Sequence, residues 1–253
     1  MKQLFYLILI FGVMSVFGVS CSDDDDNNPG GGGGGSGTSV CTGGPSTVTD
    51  VDGNVYNVVT IGNQCWMKEN LKTTKYRNGS PIPGNLSDAA WSSTTGGAQA
   101  DYDNDPTNKA TYGKLYNFYA VADPRGLCPT GWHVPSDAEW QTLETALGMP
   151  AAELNNTGGR GSAQNVGGKM KSVSPLWLSP NAGATNSSGF AGLPGGYRGS
   201  NGSYDFIGVN GLWWSSTQTS SSAWYRSLYY NNGDVYRSNY AKSYGFSVRC
   251  VRD

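Results

Sequence analysis

This 253-residue chain has a single histidine, few charged residues and, beyond its first twenty positions, no apolar run long enough to cross a bilayer. Lys and Arg total 17 against 19 Asp and Glu. Setting aside Lys2 and the aspartates at 23–26 leaves 16 basic against 15 acidic residues, so the bulk of the chain is close to neutral. That balance argues against nucleic acid or an anionic membrane surface as partner. With one histidine, His133, and no closely spaced cysteine pair, the usual ligand sets for zinc are missing. The last sixty or so residues hold almost no group that titrates near neutral pH, which argues against acid–base catalysis there.

What the chain does have begins at its N-terminus. Lys2 and the apolar residues 4–19 have the charge and length of a secretory signal. They end in Gly18-Val19-Ser20-Cys21, which resembles a bacterial lipoprotein box, with Gly18 where such boxes usually carry Leu. The resemblance implies a signal peptide over residues 1–20 and a lipid on Cys21. Residues 21–40 hold four consecutive aspartates and a six-glycine tract, a composition that cannot bury a core and reads as a flexible tether. An acidic patch directly after a lipidated cysteine also resembles the surface-export signal of Bacteroidetes lipoproteins. Residues 41–253 then suffice for one domain with a substantial core. The expected location is the outer membrane, lipid-anchored and facing outward, with membrane contact through the anchor alone.

Four cysteines remain in the domain: Cys41, Cys65, Cys128 and Cys250. In an exported protein an even number suggests disulfides, and four cysteines allow three pairings. Cys41–Cys65 would close an N-terminal hairpin and Cys128–Cys250 would tie the middle to the last strand; this is the preferred pairing.

Asp52-Gly53-Asn54 between the β-rich runs 47–50 and 55–61 predicts a hairpin, and residues 64–67 a short strand. Residues 76–85 read as a loop. Leu115, Phe118, Tyr119 and Ala122 share a helical period, so residues 112–122 read as a helix. Ser136-Asp137-Ala138-Glu139 is a capping box opening a helix with Trp140, Leu143 and Leu147 on one face. Asp137, Glu139 and Glu144 are assigned to its start and exposed face, and His133 to a packing or capping role. Later strands are expected at 190–193, 213–216, 223–229, 235–238 and 245–251, with a hairpin turn at 231–234. Strands, central helices and a late antiparallel sheet indicate one α+β domain.

Several strings resemble the Fibrobacter succinogenes major paralogous domain. They are Val48-Thr49-Asp50-Val51-Asp52-Gly53-Asn54-Val55-Tyr56, Ile61-Gly62-Asn63-Gln64-Cys65-Trp66-Met67-Lys68-Glu69-Asn70-Leu71, Tyr112-Gly113-Lys114-Leu115-Tyr116-Asn117, Cys128-Pro129-Thr130-Gly131-Trp132-His133-Val134-Pro135-Ser136 and Tyr244-Gly245-Phe246-Ser247-Val248-Arg249-Cys250-Val251. The resemblance implies a fold similar to the C-type lectin-like domain, also used by formylglycine-generating enzymes and by the variable proteins of diversity-generating retroelements. The paired C-terminal cysteines that bind copper in the former are not present here. Asp101, Asp103, Asn104 and Asp105 could suggest calcium, but Pro106 and Tyr112 stand where an EF-hand needs Gly and Glu, and the calcium-lectin strings are missing; a solvated acidic loop is expected. No metal or cofactor is expected.

Between Trp213 and Ser247 about half the residues are Tyr, Ser or Asn, the mixture that binding loops use. Strand alternation puts Trp224, Arg226 and Leu228 on one face and Tyr225, Ser227 and Tyr229 on the other. Trp213 and Leu228 read as core. Tyr225, Tyr229, Tyr230, Tyr236 and Tyr240, with Asn232 and Arg237, are the expected ligand surface. A non-catalytic, calcium-independent module for a glycan or surface protein is expected. The alternatives are a structural or adhesive subunit, a retroelement-diversified binder, and, last, an oxidase like the formylglycine-generating enzymes.

Overall fold

The structure is a computed structural model that describes residue 41 and residues 46–253, within one compact unit that spans Thr38–Asp253. The expected signal peptide, Cys21 and tether lie outside the described residues. The described chain is mostly sheet with a few short helices and two disulfides. No helix among the described residues is long and apolar enough to cross a membrane.

The chain opens with β1 (Thr47–Thr49), β2 (Val55–Ile61) and β3 (Gln64–Met67), an antiparallel meander. Gly53, at φ 84°, makes the expected first turn, and Asp50 accepts the backbone N–H groups of Asp52 and Asn54 at 2.9 Å each. A short helix α1 (Asp88–Ser93) and β4 (Gln99–Ala100) follow the irregular segment 76–85.

The helix expected over 112–122 is not there. Instead α2 (Thr107–Tyr112) ends at Gly113, β5 (Leu115–Asn117) is extended, and α3 (Phe118–Val121) is a single turn. Tertiary pairing overrides the local period: β5 is flanked by β4 on one side and by β13 (Gly245–Phe246) on the other. Asn117 then caps α3, its side chain accepting from Ala120 N and also from Ala98 N.

After β6 (Trp132–His133), helix α4 (Asp137–Ala146) begins at Ser136 with both halves of the capping box formed. Strand β7 (Gly158–Arg160) and α5 (Val166–Met170) precede the late strands. These are β8 (Gly195–Arg198), β9 (Tyr204–Ile207), β10 (Asn210–Gln218), β11 (Ser222–Tyr229) and β12 (Val235–Ala241). The expected strand 190–193 is replaced by an isolated bridge at Gly192, because Phe190 turns inward to fill the core. The expected strand 245–251 divides into β13 and β14 (Val251–Arg252), which belong to different sheets.

Strand order in the smaller sheet is β1-β2-β3-β14-β6, so the last strand of the domain joins the N-terminal meander between β3 and β6. The larger sheet runs β4-β5-β13-β8-β10-β11-β12-β7, with β9 paired to β8. Its β10–β11–β12 hairpins separate two core clusters. Leu212, Trp214, Ala223, Tyr225 and Phe246 belong to one. Trp66, Trp140, Phe190, Trp213, Leu228 and Val235 belong to the other. In the second cluster Trp66–Trp140, Trp140–Phe190 and Phe190–Trp213 ring centroids lie 4.8, 5.8 and 5.5 Å apart.

Both disulfides have the expected pairing, Cys41–Cys65 and Cys128–Cys250. For loops set by sequence separations of 24 and 122 residues, restriction of the unfolded chain contributes about 3.5 and about 5 kcal/mol. Several residues of the quoted strings meet at a buried hub. Asn70 Oδ1 accepts from Trp213 Nε1 (2.8 Å) and Arg249 Nη2 (2.8 Å), and Asn70 Nδ2 donates to Tyr112 O (2.8 Å). The Arg249 guanidinium also donates to Phe190 O and stacks on the Phe190 ring at 4.0 Å. Burial lowers its pKa to about 9. These residues knit the start, middle and end of the domain together.

Candidate functional site

Strand alternation sorts β11 and β12 into two unlike faces. Arg226 pairs in register with Arg237, and Ser227 with Tyr236. Arg226, Arg237, Leu228 and Val235 therefore turn toward α4, while Tyr225, Tyr229, Tyr236 and Tyr240 share the opposite side.

On the α4 side the polar groups are buried ion pairs. Arg226 Nη1 and Arg237 Nη2 reach Asp137 at 2.7 and 2.8 Å. Arg226 Nε and Arg160 Nη2 reach Glu144 at 2.5 and 2.8 Å. Arg237 also stacks on Trp224, its guanidinium carbon 3.6 Å from the ring centroid. For Asp137 burial pushes the pKa up, but the hydrogen bonds and charges of Arg237 and Arg226 outweigh it and hold the pKa below the usual value. Two expectations are corrected here. Glu144 is fully buried rather than on an exposed helix face, and Arg237 is a structural cation rather than a ligand contact. Glu144 follows Trp140 by four positions and precedes Leu147 by three, so the helical period already placed it on the apolar face.

The opposite side is aromatic. Tyr240 is 42 % exposed, stacked between Tyr225 (5.2 Å, 16°) and Tyr244 (4.7 Å, 13°). Because both of its ring faces are taken, Tyr240 offers ring edge and hydroxyl to solvent. Tyr244 in turn contacts Tyr197 (5.9 Å), and Tyr197 stacks with the half-exposed Phe206 (5.6 Å, 29°). Tyr229 and Tyr236 form an edge-to-face pair at 4.6 Å. Tyr225 is only 6 % exposed beneath Tyr240 and Phe246, so it supports the surface rather than presenting to a ligand. Burial raises the Tyr225 and Tyr240 hydroxyl pKa values, and that of Tyr197 to about 12, so these phenols stay neutral at physiological pH. Neither the cleft of about 390 Å³ beside α4 nor that of about 300 Å³ between β1 and Cys128 is lined by these tyrosines.

The other expected contacts are divided. Tyr230 packs against the α4-side core. Asn232 shapes the β11–β12 turn, accepting from Asp234 N at 3.1 Å, and its amide lies 3.5 Å from the Tyr236 hydroxyl. That turn is held by a lysine whose role has no local signal in the sequence. Buried Lys171 donates to the carbonyls of Ala182, Tyr229 and Asn232 at 2.6, 2.9 and 2.8 Å. Burial lowers its pKa to about 8, which still leaves the ammonium charged at neutral pH. Tyr197, Phe206 and Tyr244 also lay outside the expected set, and only Tyr244 carried a sequence signal, as one of a run of aromatics.

His133 bridges two carboxylates, with Nδ1 and Nε2 2.6 Å from Asp253 Oδ1 and Glu139 Oε1. Burial opposes its protonation, but the bonds to Asp253 and Glu139 prevail and raise its pKa. Glu139 is also the capping carboxylate of α4, so His133 serves the helix start, as expected. Asp101, expected in a solvated loop, is buried and paired with Lys114 Nζ at 2.7 Å, whereas Asp103, Asn104 and Asp105 are exposed. All four cysteines of the described residues are in disulfides.

No curated protein and no solved structure matches this chain. The Fibrobacter succinogenes major domain matches residues 59–252, which take in β3, the Asn70–Arg249 hub, α4 and the tyrosine-bearing sheet, and the chain belongs to that family.

Proposed function

We propose that the protein is a lipid-anchored outer-membrane protein, displayed outward, whose C-type lectin-like domain binds a glycan or another surface protein without calcium and without catalysis. The observation that carries the reading is the asymmetry of the late sheet. The charged side chains of β11 and β12, Arg226 and Arg237, are used in ion pairs on one face. The other presents phenol edges, Tyr229, Tyr236 and Tyr240 on β11 and β12 and Tyr244 just before β13, with the β11–β12 turn held by Lys171. Rigid tyrosines give large contact area at low entropic cost, which suits recognition.

The test is a pull-down and glycan screen with wild type beside a Tyr229→Ala/Tyr236→Ala/Tyr240→Ala variant. These partly exposed side chains contribute to binding more than to folding, so the variant is expected to fold and lose its ligand. Equal capture by both proteins would remove this face from the mechanism. A structural or adhesive subunit is the second reading, favoured by exposed Val173, Leu176 and Leu178 in one short loop. It would be marked by a protein neighbour that co-purifies irrespective of the tyrosines.

A further inference from the structure

The backbone of Phe206 carries information that the tyrosines do not. In the β8–β9 hairpin Tyr197 is paired with Asp205 and Gly195 with Ile207, so Gly196 lies across from Phe206. Paired residues share a face of a sheet and successive residues alternate, so regular geometry would send Phe206 away from Tyr197. Yet the two rings are stacked at 5.6 Å and 29°. The switch is made by the backbone. Phe206 has φ 66° and Gly196 φ 61°, both in the left-handed region. At Gly196 this is unstrained, and a Cβ there would lie 2.4 Å from Asp205 O. For phenylalanine it is an unfavourable conformation, found where the surroundings over-determine it and concentrated at binding sites.

Core burial does not account for that conformation. Phe206 remains 50 % exposed and belongs to none of the hydrophobic clusters. Tyr197 backs one face of its ring. Around it the chemistry is polar and short: Asp205 accepts from the Ser203 hydroxyl at 3.1 Å through one carboxylate oxygen, and the Tyr244 ring lies beyond Tyr197.

Resting on the binding role proposed above, we infer that Phe206 is a stacking platform for a pyranose ring, which makes the ligand of the aromatic face a neutral glycan. The face of an aromatic ring is negative and its edge positive. One side of a hexopyranose presents C–H bonds polarised by neighbouring oxygens, which complement that face, while its equatorial hydroxyls reach outward to carboxylate and phenol groups. A flat, half-exposed ring with polar neighbours matches this pattern, whereas the Asp205 carboxylate beside Tyr197 disfavours an anionic ligand.

Affinity electrophoresis of the purified protein through gels containing β-glucan, xylan, mannan or galactan tests this. The variants are Phe206→Gly, Phe206→Leu and Tyr229→Ala/Tyr236→Ala, with capture of membrane proteins run in parallel. Glycine accepts the left-handed backbone, so Phe206→Gly is expected to melt within about 4 °C of wild type. It should lose about tenfold in affinity for a polysaccharide that retards wild type. Phe206→Leu, apolar but without a flat face, should lose nearly as much. Undiminished retardation of either Phe206 variant overturns the platform, as does a Phe206→Gly protein that melts far below wild type, because the ring would then be structural. If no polysaccharide retards wild type, the glycan assignment fails. Protein capture that depends on Tyr229 and Tyr236 would in that case preserve the broader binding role, and its loss would remove both.

Discussion

The two faces of the β10–β12 sheet use the same strands for opposite ends. On the α4 side, alternate residues bury three guanidinium groups and two carboxylates, Arg160, Arg226, Arg237, Asp137 and Glu144. On the other side, neighbouring positions display tyrosines with partly exposed rings. Polar charge is inside and aromatic surface is outside, the reverse of the ordinary distribution. Buried ion pairs add little net stability, but they penalise any arrangement that leaves a charge unpaired, and here they set how α4 sits on the sheet. Aromatic rings outside need a firm support, which that arrangement supplies. The charged face therefore determines geometry and the aromatic face uses it.

The comparison can be broken most directly at Glu144. Glu144→Gln removes the charge that compensates Arg160 and Arg226, and a loss of about 3–5 kcal/mol is expected from urea unfolding. A cost below about 1 kcal/mol would mean that water reaches these groups and that the face is not a closed network. Next in size is Lys171→Met, which leaves three carbonyls without their donor and should cost about 2–3 kcal/mol. Hydrogen exchange in this variant should rise at the 229–232 turn while α4 stays protected. Uniform loosening would show that Lys171 supports α4 as well as the turn, and that the ion pairs alone do not fix the helix.

The smallest effect is expected at His133, the exposed relative of the buried pairs. Its pKa is raised in the folded protein, so the native state binds that proton more tightly than the unfolded chain does. The contribution is full below the ordinary histidine value and is lost as pH rises through the folded value. Wild type and His133→Gln should differ by at most about 1 kcal/mol at pH 5.5 and converge by pH 8.5 in thermal melts. A gap that widens with pH would contradict the bridge to Asp253 and Glu139.

Much of the frame was legible in the sequence because its causes are local. Asp52-Gly53-Asn54 dictates a turn through glycine's left-handed backbone, and Ser136 with Glu139 satisfies helix N–H groups within one turn. The disulfide pairing observed was the preferred one of the three that four cysteines allow. Residues 115–117 misled because a helical period in the sequence was outweighed by strand partners on both sides, one of them more than a hundred positions away. Glu144 was misjudged by residue type, its position in the helix pointing the right way. Of the tyrosines, alternation put Tyr225 and Tyr229 on one face, but not which of them Tyr240 would cover.

By itself, then, the sequence determined the elements whose hydrogen bonds close within a few residues, the alternation of faces along each late strand, and the family motifs. Only the tertiary structure decided that Asp137 and Glu144 would meet three arginines, that Lys171 would gather three carbonyls from two segments, and that Phe206 would turn against its own strand to stack on Tyr197. The physical reason is range. Turn and cap energies are set by neighbours in the chain, whereas a buried charge is tolerable only when distant segments supply its partners, and the Phe206 backbone only when β8 is paired beside β9.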